Sequence, residues 1–318
     1  MKQQTISQQL LKFGLKVIGP LFYVALVVFL FIYVQRLDWS VLSGIQISWL
    51  YVSVAIIIAL VARYWGAFIW IVLLKNLGAN NLGQQLLPLL YVYAKSWLGR
   101  YIPGTAPWIL GKIYFASKLG VSKNKLAVSS LLEGGLQILV TLVIAIVILL
   151  FDSRVSKVIN TQLEIIMVVT LLVGVITVLP PVFNRLFALV FKLIKRKAFP
   201  AQHYATTKTI AQGTGLYVIG SLIGGLSFFF IAKAVYAPLQ YTDLLFVLGL
   251  SNLANAASML AIFAPSGIGV REGIQVVLLS LIMPVEFALL IAVITRIWSI
   301  VVDFLFFGIA AGFKQAKQ

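Results

Sequence analysis

Residues 264–273 read Ala-Pro-Ser-Gly-Ile-Gly-Val-Arg-Glu-Gly, and residues 101–104 read Tyr-Ile-Pro-Gly. Both stretches interrupt long apolar runs with residues that break regular backbone, and both lie beside ionisable side chains. Broken backbone and charge at membrane depth are costly unless they line a cavity or a polar path. We therefore expect these two stretches to mark the functional site.

The composition around these stretches is that of a polytopic membrane protein. The chain has 318 residues, of which 61% are hydrophobic and 10% charged, and its mean hydropathy is +1.04. A soluble domain carries charge on about a quarter of its residues. We expect a single integral membrane domain over residues 1–318, with no separate soluble domain.

The scarcity of reactive residue types excludes several kinds of site. There is no cysteine and one histidine, His203, in a basic loop. This excludes disulfides, thiol nucleophiles and Cys/His metal sites, and it argues against a Ser-His-Asp triad. We expect no catalytic residue, no metal and no cofactor. The net charge of +17 sits largely in loops beside apolar runs, where the positive-inside bias and anionic head groups explain it without nucleic acid.

Apolar runs of about 20 residues, the length that crosses a bilayer, recur along the chain. They predict an all-α bundle of about eight transmembrane helices, with one or two short re-entrant or broken segments. The expected full spans are 17–35, 49–74, 126–150, 163–190, 213–236, 243–263 and a long last helix from Pro284 to about residue 312.

Two segments differ from plain spans. Residues 270–283 would rise about 21 Å as a helix, less than the hydrocarbon core of about 30 Å. They form either a re-entrant half-helix or a short span that thins the bilayer, and Pro284 favours a break before the last helix. Residues 85–112 are interrupted by prolines in the same way. One interrupted segment in each half is typical of transporters with an internal repeat.

The distribution of lysine and arginine predicts the orientation. Positive charges concentrate at the N-terminus, in residues 112–125 and in residues 185–208, whereas the intervening loops are poorer in them. The pattern is consistent if residues 85–112 enter and leave on the cytoplasmic side. We expect a multi-pass protein of the cytoplasmic (inner) membrane with both termini in the cytoplasm.

Residues 267–273 combine several features that suit an anionic oxygen. The start of a helix offers free backbone N–H groups and the positive end of its dipole. Gly267 and Gly269 would let a ligand approach the backbone, and the planar guanidinium of Arg271 matches phosphate. A purely structural alternative is a tight turn in which Glu272 favours the dipole and Arg271 snorkels. An arginine within the membrane favours function.

Other cations are candidate ligands for a lipid head group. Lys95 and Arg100 are five residues apart, so on one helix they project about 140° from each other. One can face a cavity while the other snorkels. Lys112 and Arg296 are further candidates, although Lys112, as one of several lysines on the cytoplasmic side, is better explained as a topology signal. Aromatic residues near the predicted interfaces need only the aromatic-belt explanation: Trp39, Trp49, Trp97, Tyr101, Trp108 and Tyr114.

Three more charges lie within predicted helices and suit charge pairing or a proton relay. Glu133 is inside an apolar span, where a carboxylate must be protonated or paired with a cation. Its candidate partners are Arg63, Arg271 and Arg296. Arg296 and Asp303 are seven residues apart, so they share a face of the last helix. Arg63 lies in the middle of the second expected span, and we expect Arg63, Arg296 and Asp303 to be interior charges that face the bundle. A packing ion pair and a proton relay both remain open for Glu133.

These positions form two signatures. The first runs through Arg100-Tyr101-Ile102-Pro103-Gly104, Lys112, Gly120, Ser122 and Leu131-Leu132-Glu133, and the second is residues 265–273 with Arg296. Together they resemble the lysylphosphatidylglycerol synthase transmembrane-region family, a flippase-like membrane domain. The chain departs from the family at two points. Gly134 follows Glu133 where an arginine is common, and Lys112 stands where an arginine is usual, which leaves the partner of Glu133 open.

The resemblance implies a stand-alone member, without a soluble aminoacyl-transferase domain, that handles or translocates a lipid across the membrane. The lipid would be an anionic phospholipid or a polyprenyl-phosphate-linked lipid, and a lipid- or glycan-synthesis enzyme is a further partner. Two alternatives stay open. One is an accessory or catalytic subunit of lipid-linked glycan or phospholipid modification, with Glu133, Glu272 or Asp303 as base. The other is a non-catalytic membrane scaffold.

Overall fold

The computed structural model describes residues 45–79, 82–101, 106–195, 205–261 and 267–315, together with Gln35 and Ser40. Within these ranges the chain is helical and has no strand. The helices are α1 (Trp49–Asn76), α2 (Leu86–Trp97), α3 (Ala106–Ser117), α4 (Lys123–Leu150), α5 (Ser153–Ser156), α6 (Thr161–Val178), α7 (Pro180–Lys195), α8 (Thr207–Val235), α9 (Leu244–Leu260), α10 (Val270–Leu279) and α11 (Val285–Gln315). The expected first span at 17–35, apart from Gln35, lies outside the described residues, as does His203.

Six of these segments are long and apolar enough to cross a membrane, counted over the ranges that the structure describes. They are α1, α4, α6, α8, residues 241–260 around α9, and residues 285–312 of α11. The all-α, polytopic prediction is therefore confirmed. α1 packs along α8, and α4 packs along α9, so these four helices form the centre of the bundle.

Small residues allow the central helices to approach closely. A Cβ atom added at Gly225 in α8 would lie 2.6 Å from Leu248 Cγ in α9. A Cβ added at Gly249 would lie 2.8 Å from Ile148 Cγ2 in α4. Because lipid is as apolar as the helices, close packing of this kind is a main source of helix association in membranes.

The expected span at 163–190 is confirmed in its first part, where Thr161–Val178 is long and apolar enough to cross a membrane, but its length is wrong because the structure divides it into two helices. α6 ends at Val178, and α7 begins at Pro180. Leu179 between them is extended, with φ −61° and ψ 130°. Pro180 disfavours the helical conformation for the residue before it, but it fits the first position of a new helix. α7 is amphipathic: Phe183 is buried, whereas Arg185 is exposed.

The two interrupted segments are broken as expected. α2 and α3 have 12 residues each, about 18 Å as helices, and they pack against each other and against α11 and α4 respectively. A 3-10 turn at Leu98–Tyr101 follows α2, and residues 102–105 lie outside the described ranges. α10 has 10 residues, about 15 Å, so it does not span the core by itself.

A cluster of ion pairs lies next to the C-terminal end of α4. Arg154 Nη2 lies 2.7 Å from Asp152 Oδ2, and Arg154 Nη1 lies 2.6 Å from Asp243 Oδ1. Arg154 also donates from its Nε and its backbone N–H to Asp152. The hydrogen bonds from Arg154 hold the pKa of Asp152 below its usual range, and they raise the pKa of Arg154. The cluster joins the loop after α4 to the segment that precedes α9.

Candidate functional site

A cavity of about 620 Å³ lies inside the bundle, between both interrupted segments. Its lining includes polar side chains from several helices, among them Arg63, Arg100, Asn255, Arg271 and Gln275. It also includes aliphatic and aromatic side chains, among them Ile138, Leu139, Phe183, Leu186 and Phe187 of α4 and α7. The cavity lining therefore combines arginines with a large apolar surface.

Asp303 of α11 is a buried acceptor for several side chains around the cavity. Its side chain is fully buried, and its Oδ1 accepts hydrogen bonds from Arg63 Nε at 2.6 Å and from Trp97 Nε1 at 3.1 Å. Its Oδ2 accepts a hydrogen bond from the Tyr101 hydroxyl at 2.6 Å and lies 3.9 Å from Arg100 Nη1. One carboxylate thus joins α1, α2, the 3-10 turn and α11. The prediction that Arg63 and Asp303 are interior charges agrees with these positions.

Arg271, the second residue of α10, lines the cavity. With the described residues its guanidinium forms no hydrogen bond and no ion pair within 4.0 Å. Its electrostatic neighbours are Arg63, Arg100 and Arg296, which repel it, and Glu272, which attracts it. The adjoining residues 262–266, outside the described ranges, carry no charged side chain. Arg271 is therefore a cation whose surroundings are themselves net positive.

The start of α10 differs from the expected anion site in one respect. Gly269 has a φ of 86°, a left-handed conformation that favours glycine. Its N–H donates to Glu272 Oε2 at 2.7 Å, so this donor is already occupied and the expectation of a free N–H there is corrected. The other carboxylate oxygen of Glu272 lies 3.6 Å from Arg296 Nη1. Glu272 thus caps α10 and pairs with α11.

Gly267 lines the cavity where the described chain resumes before α10. Its φ is 66°, and a Cβ atom added to it would lie 2.2 Å from the Cβ of Ser258 in α9. Glycine is therefore required both by the backbone conformation and by the close contact with α9. The contact places the start of α10, and with it Arg271, against the polar face of α9.

The partner of Glu133 is Lys112 and not one of the three arginines considered from the sequence. Lys112 Nζ donates to Glu133 Oε2, the Tyr93 hydroxyl donates to Oε1 at 2.8 Å, and both charged side chains are 1% exposed. The Lys112 ammonium also lies 4.0 Å from the centroid of the Trp108 ring. Neither Lys112 nor Glu133 is among the described residues that line the cavity.

Lys95 and Arg100 point in different directions, which agrees with the angle predicted between them. Arg100 lines the cavity, and its guanidinium lies 4.6 Å from the centroid of the Trp97 ring. Lys95 is exposed, and its ammonium lies 4.2 Å from the centroid of the Phe115 ring. Lys95 is therefore away from the cavity, and Arg296 also lies outside its described lining.

Several residues of the site were not predicted from the sequence. The aromatic belt does not account for Trp97 and Tyr101, since both donate to Asp303. Neutral polar residues also line the cavity: Ser130, Ser251, Asn255, Ser258, Gln275, Trp298 and Ser299. The signal that could have found some of them is the helical spacing of Ser251, Asn255 and Ser258 within a largely apolar run that also contains Asn252.

A sequence model of one family, described as Lysylphosphatidylglycerol synthase TM region, matches residues 16–306. The match includes both interrupted segments and all described residues that line the cavity. No curated protein and no solved structure matches the chain.

Proposed function

The chain belongs to the lysylphosphatidylglycerol synthase transmembrane-region family, and on this basis we propose that it binds a lipid with a phosphate-bearing head group and translocates it across the membrane. The family and the six apolar spans support a membrane-lipid function. The cavity supports the more specific proposal, because it combines arginines with a large apolar surface.

The observation that carries the proposal is an excess of positive charge around the cavity. Two carboxylates, Asp303 and Glu272, face four arginines, which are Arg63, Arg100, Arg271 and Arg296. The remaining acidic residues do not reduce this excess. Glu133 pairs with Lys112, and Asp152 and Asp243 pair with Arg154. Glu164 and Glu286 lie in the first turns of α6 and α11.

Almost every acidic residue that could offset this positive charge is among the described residues. Of its eight acidic residues, Asp38 alone falls outside the described ranges. An unpaired charge in a buried site costs several kcal/mol. A bound phosphate would offset the excess, and the guanidinium of Arg271 offers it paired donors in a geometry that matches two phosphate oxygens.

The apolar surface suits the hydrophobic part of such a lipid. Phe183 and Phe187 of α7 stack with their centroids 6.1 Å apart, and both line the cavity with Leu186. The adjoining α6 exposes apolar side chains along most of its length, as a lipid-facing helix does. In the proposed mechanism the head group reaches the arginines, where its charge is offset, while the tails stay near α7 and the bilayer.

Translocation by reconstituted protein tests the proposal. Purified protein is placed in vesicles containing fluorescent phosphatidylglycerol, and the fraction of label that becomes accessible to a membrane-impermeant quencher is followed over time. We expect Arg271→Gln to lose most of the protein-dependent translocation. Lys95→Gln is the matched control, because Lys95 is exposed and outside the cavity. Unchanged translocation by a folded Arg271→Gln variant would refute the proposal.

The arrangement of the acids favours binding over catalysis at this site. Glu133, Glu272 and Asp303, the three candidate bases, each accept charge-assisted hydrogen bonds or ion pairs from the protein. None of the three is among the described residues that line the cavity. A general base must reach the proton that it removes, and these carboxylates are committed to holding the helices together.

A further inference from the structure

We propose that α7 lies along the membrane surface and binds anionic phospholipids of one leaflet through Arg185 and Lys192, with Leu186 and Leu189 embedded among their acyl chains. This goes beyond the proposed function, because it concerns the exposed side of α7 and does not require that any lipid is translocated. Three observations carry it: the place of α7 in the bundle, the arrangement of its exposed side chains, and the charge of the chain around it.

α7 begins at one end of the bundle. Asn184 Nδ2 in its second turn donates to the carbonyl oxygen of Ala205 at 2.9 Å, and the backbone N–H of Ala205 donates back to Asn184 Oδ1 at 3.0 Å. Ala205 comes two residues before α8, and Asn76, the last residue of α1, donates to Gln212 Oε1 of α8 at 2.9 Å. α7 is therefore tied to the level at which α1 ends and α8 begins, and the ends of long spans lie near the membrane surface.

α7 differs from the spans in length and in pattern. Its 16 residues rise about 24 Å, less than the hydrocarbon core of about 30 Å, and it is not among the described segments that are long and apolar enough to cross a membrane. Phe183 attaches it to the bundle, since the side chain is 4% exposed and its ring lies 3.5 Å from a Cβ atom added at Gly135 of α4. A short amphipathic helix with a basic polar face lies in the plane of the interface.

The exposed side of α7 carries cations and leucines side by side. Arg185 and Lys192 are exposed and seven residues apart, so they share a face. Leu189 follows Arg185 by four residues and precedes Lys192 by three, so it adjoins both. Leu189 is 53% exposed, and Leu186, three residues before it, is 42% exposed. Water does not suit exposed leucines and hydrocarbon does not suit cations. The boundary between head groups and acyl chains suits both.

The protein does not neutralise this basic face. Neither Arg185 nor Lys192 forms an ion pair within 4.0 Å with an acidic residue in the described ranges. The sequence shows why: no aspartate or glutamate occurs between Glu164 and Asp243, and every charged side chain in that stretch is a lysine or an arginine. The phosphate groups of anionic phospholipids supply the counter-charge that this part of the chain lacks.

The positive-inside bias explains why cations occur in this stretch, but it does not explain their positions. A topology signal requires only that the cations flank a span, in any conformation. In α7 the two described cations share one face of a helix and adjoin exposed leucines. This juxtaposition of a basic and an apolar surface is the property by which a helix binds an anionic lipid surface.

Nitroxide labels at single cysteines test the placement of α7, because the chain has no cysteine of its own. Leu189→Cys and Lys192→Cys are labelled in vesicles of phosphatidylcholine mixed with phosphatidylglycerol, and the accessibility of each label to oxygen and to a water-soluble nickel complex is measured. We expect the label at position 189 to favour oxygen and the label at position 192 to favour nickel. The proposal is overturned if both labels lie in water, if both lie in hydrocarbon, or if a protein partner shields position 189 from both reagents.

Native mass spectrometry of protein released from mixed nanodiscs of the same two lipids tests the role of charge. The Arg271→Gln background is used, because it removes the contribution proposed for the cavity. Arg185→Gln with Lys192→Gln should weaken the retention of phosphatidylglycerol on the order of tenfold and leave phosphatidylcholine unchanged. Lys75→Gln with Lys123→Gln is the matched control, since it removes two exposed cations outside α7, and it should retain phosphatidylglycerol. Thermal unfolding shows that each variant remains folded.

The outcomes separate this proposal from the proposed function. If the paired α7 substitutions leave phosphatidylglycerol retention unchanged while Arg271→Gln abolishes translocation, the proposal for α7 fails and the proposed function stands. If the α7 substitutions lower retention while Arg271→Gln translocates lipid as the unaltered protein does, the proposed function fails and the proposal for α7 stands. Inorganic phosphate should not displace the retained lipid, and displacement would show that α7 binds free anions and not a lipid surface.

Discussion

Arg63 Nε lies 2.6 Å from Asp303 Oδ1, and this pair links α1 to α11 across 240 positions of sequence. Asp303 is fully buried, whereas the Arg63 side chain is 21% exposed and faces the cavity. The carboxylate therefore orients an arginine that remains accessible from the cavity. Because Trp97 and Tyr101 donate to the same carboxylate, its charge positions these two side chains together with Arg63.

Replacing Asp303 with asparagine should destabilise the protein strongly. The change keeps the shape but removes the counter-charge of Arg63, and breaking a buried pair in this way costs about 3–5 kcal/mol. Thermal unfolding in a mild detergent measures the effect. Glu164→Gln is the control, since Glu164 is exposed in the first turn of α6 and a surface substitution stays within about 0.5 kcal/mol. Equal stability of both variants would show that the Asp303 charge does not hold the bundle.

The buried pair of Lys112 and Glu133 predicts a strongly non-additive double-mutant cycle. Lys112→Met and Glu133→Gln each leave one polar or charged group without its partner, and each should cost about 3 kcal/mol or more. The double variant removes both charges, so we expect it to be more stable than the sum of the single effects predicts, by about 1–3 kcal/mol. Denaturation of all four proteins under the same conditions gives the coupling. Additive effects would mean that the two side chains do not stabilise each other.

Much of the fold could be predicted from the sequence, because crossing a bilayer imposes a strong length and composition rule. The runs at 49–74 and 126–150 correspond to α1 and α4. The break before the last helix follows from Pro284, which immediately precedes α11. The length of the run at 163–190 was wrong because hydropathy does not detect a break between two apolar helices. There the local effect of Pro180 on Leu179 decides where one helix ends and the next begins.

The site could be predicted only in part, because its pairings depend on tertiary packing. The spacing of Lys95 and Arg100 is a local property, and it predicted their divergence. The Lys112–Glu133 pair depends on how α3 packs against α4, and the role of Trp97 depends on its proximity to Asp303 in α11. Neither follows from spacing along the chain. Buried neutral groups such as Ser130 carry no charge pattern and become visible only in the structure.

The Asp152–Arg154 cluster predicts a pH dependence of stability at acidic pH. Hydrogen bonds from Arg154 lower the pKa of Asp152 in the folded protein, so its stabilising contribution is present above the unfolded pKa of about 3.9 and is lost as the pH falls through the folded pKa. Asp152→Asn should remove at most about 1 kcal/mol at neutral pH, because the pair is partly exposed. The variant and the unaltered protein should converge in stability at low pH. A constant difference across that range would contradict the linkage.

Replacing Gly267 with alanine should weaken lipid binding more strongly than it lowers the stability of the protein. Alanine at this position would have to adopt a φ near 66°, and its Cβ would lie 2.2 Å from the Cβ of Ser258. The start of α10 must therefore move away from α9 and displace Arg271 within the cavity, and the strain adds roughly 1–3 kcal/mol. Gly273→Ala, within α10, is the matched control because no atom lies within 4 Å of the added Cβ.

We expect Gly267→Ala to weaken phosphatidylglycerol binding and translocation at least as much as Arg271→Gln does, because it displaces the same guanidinium. Gly273→Ala should keep both activities and unfold at the same or a higher temperature, since alanine favours a helix over glycine by about 1 kcal/mol. Binding by native mass spectrometry and unfolding in detergent are measured on the same preparations. A folded Gly267→Ala protein with unchanged binding would show that the position of α10 relative to α9 does not control the Arg271 site.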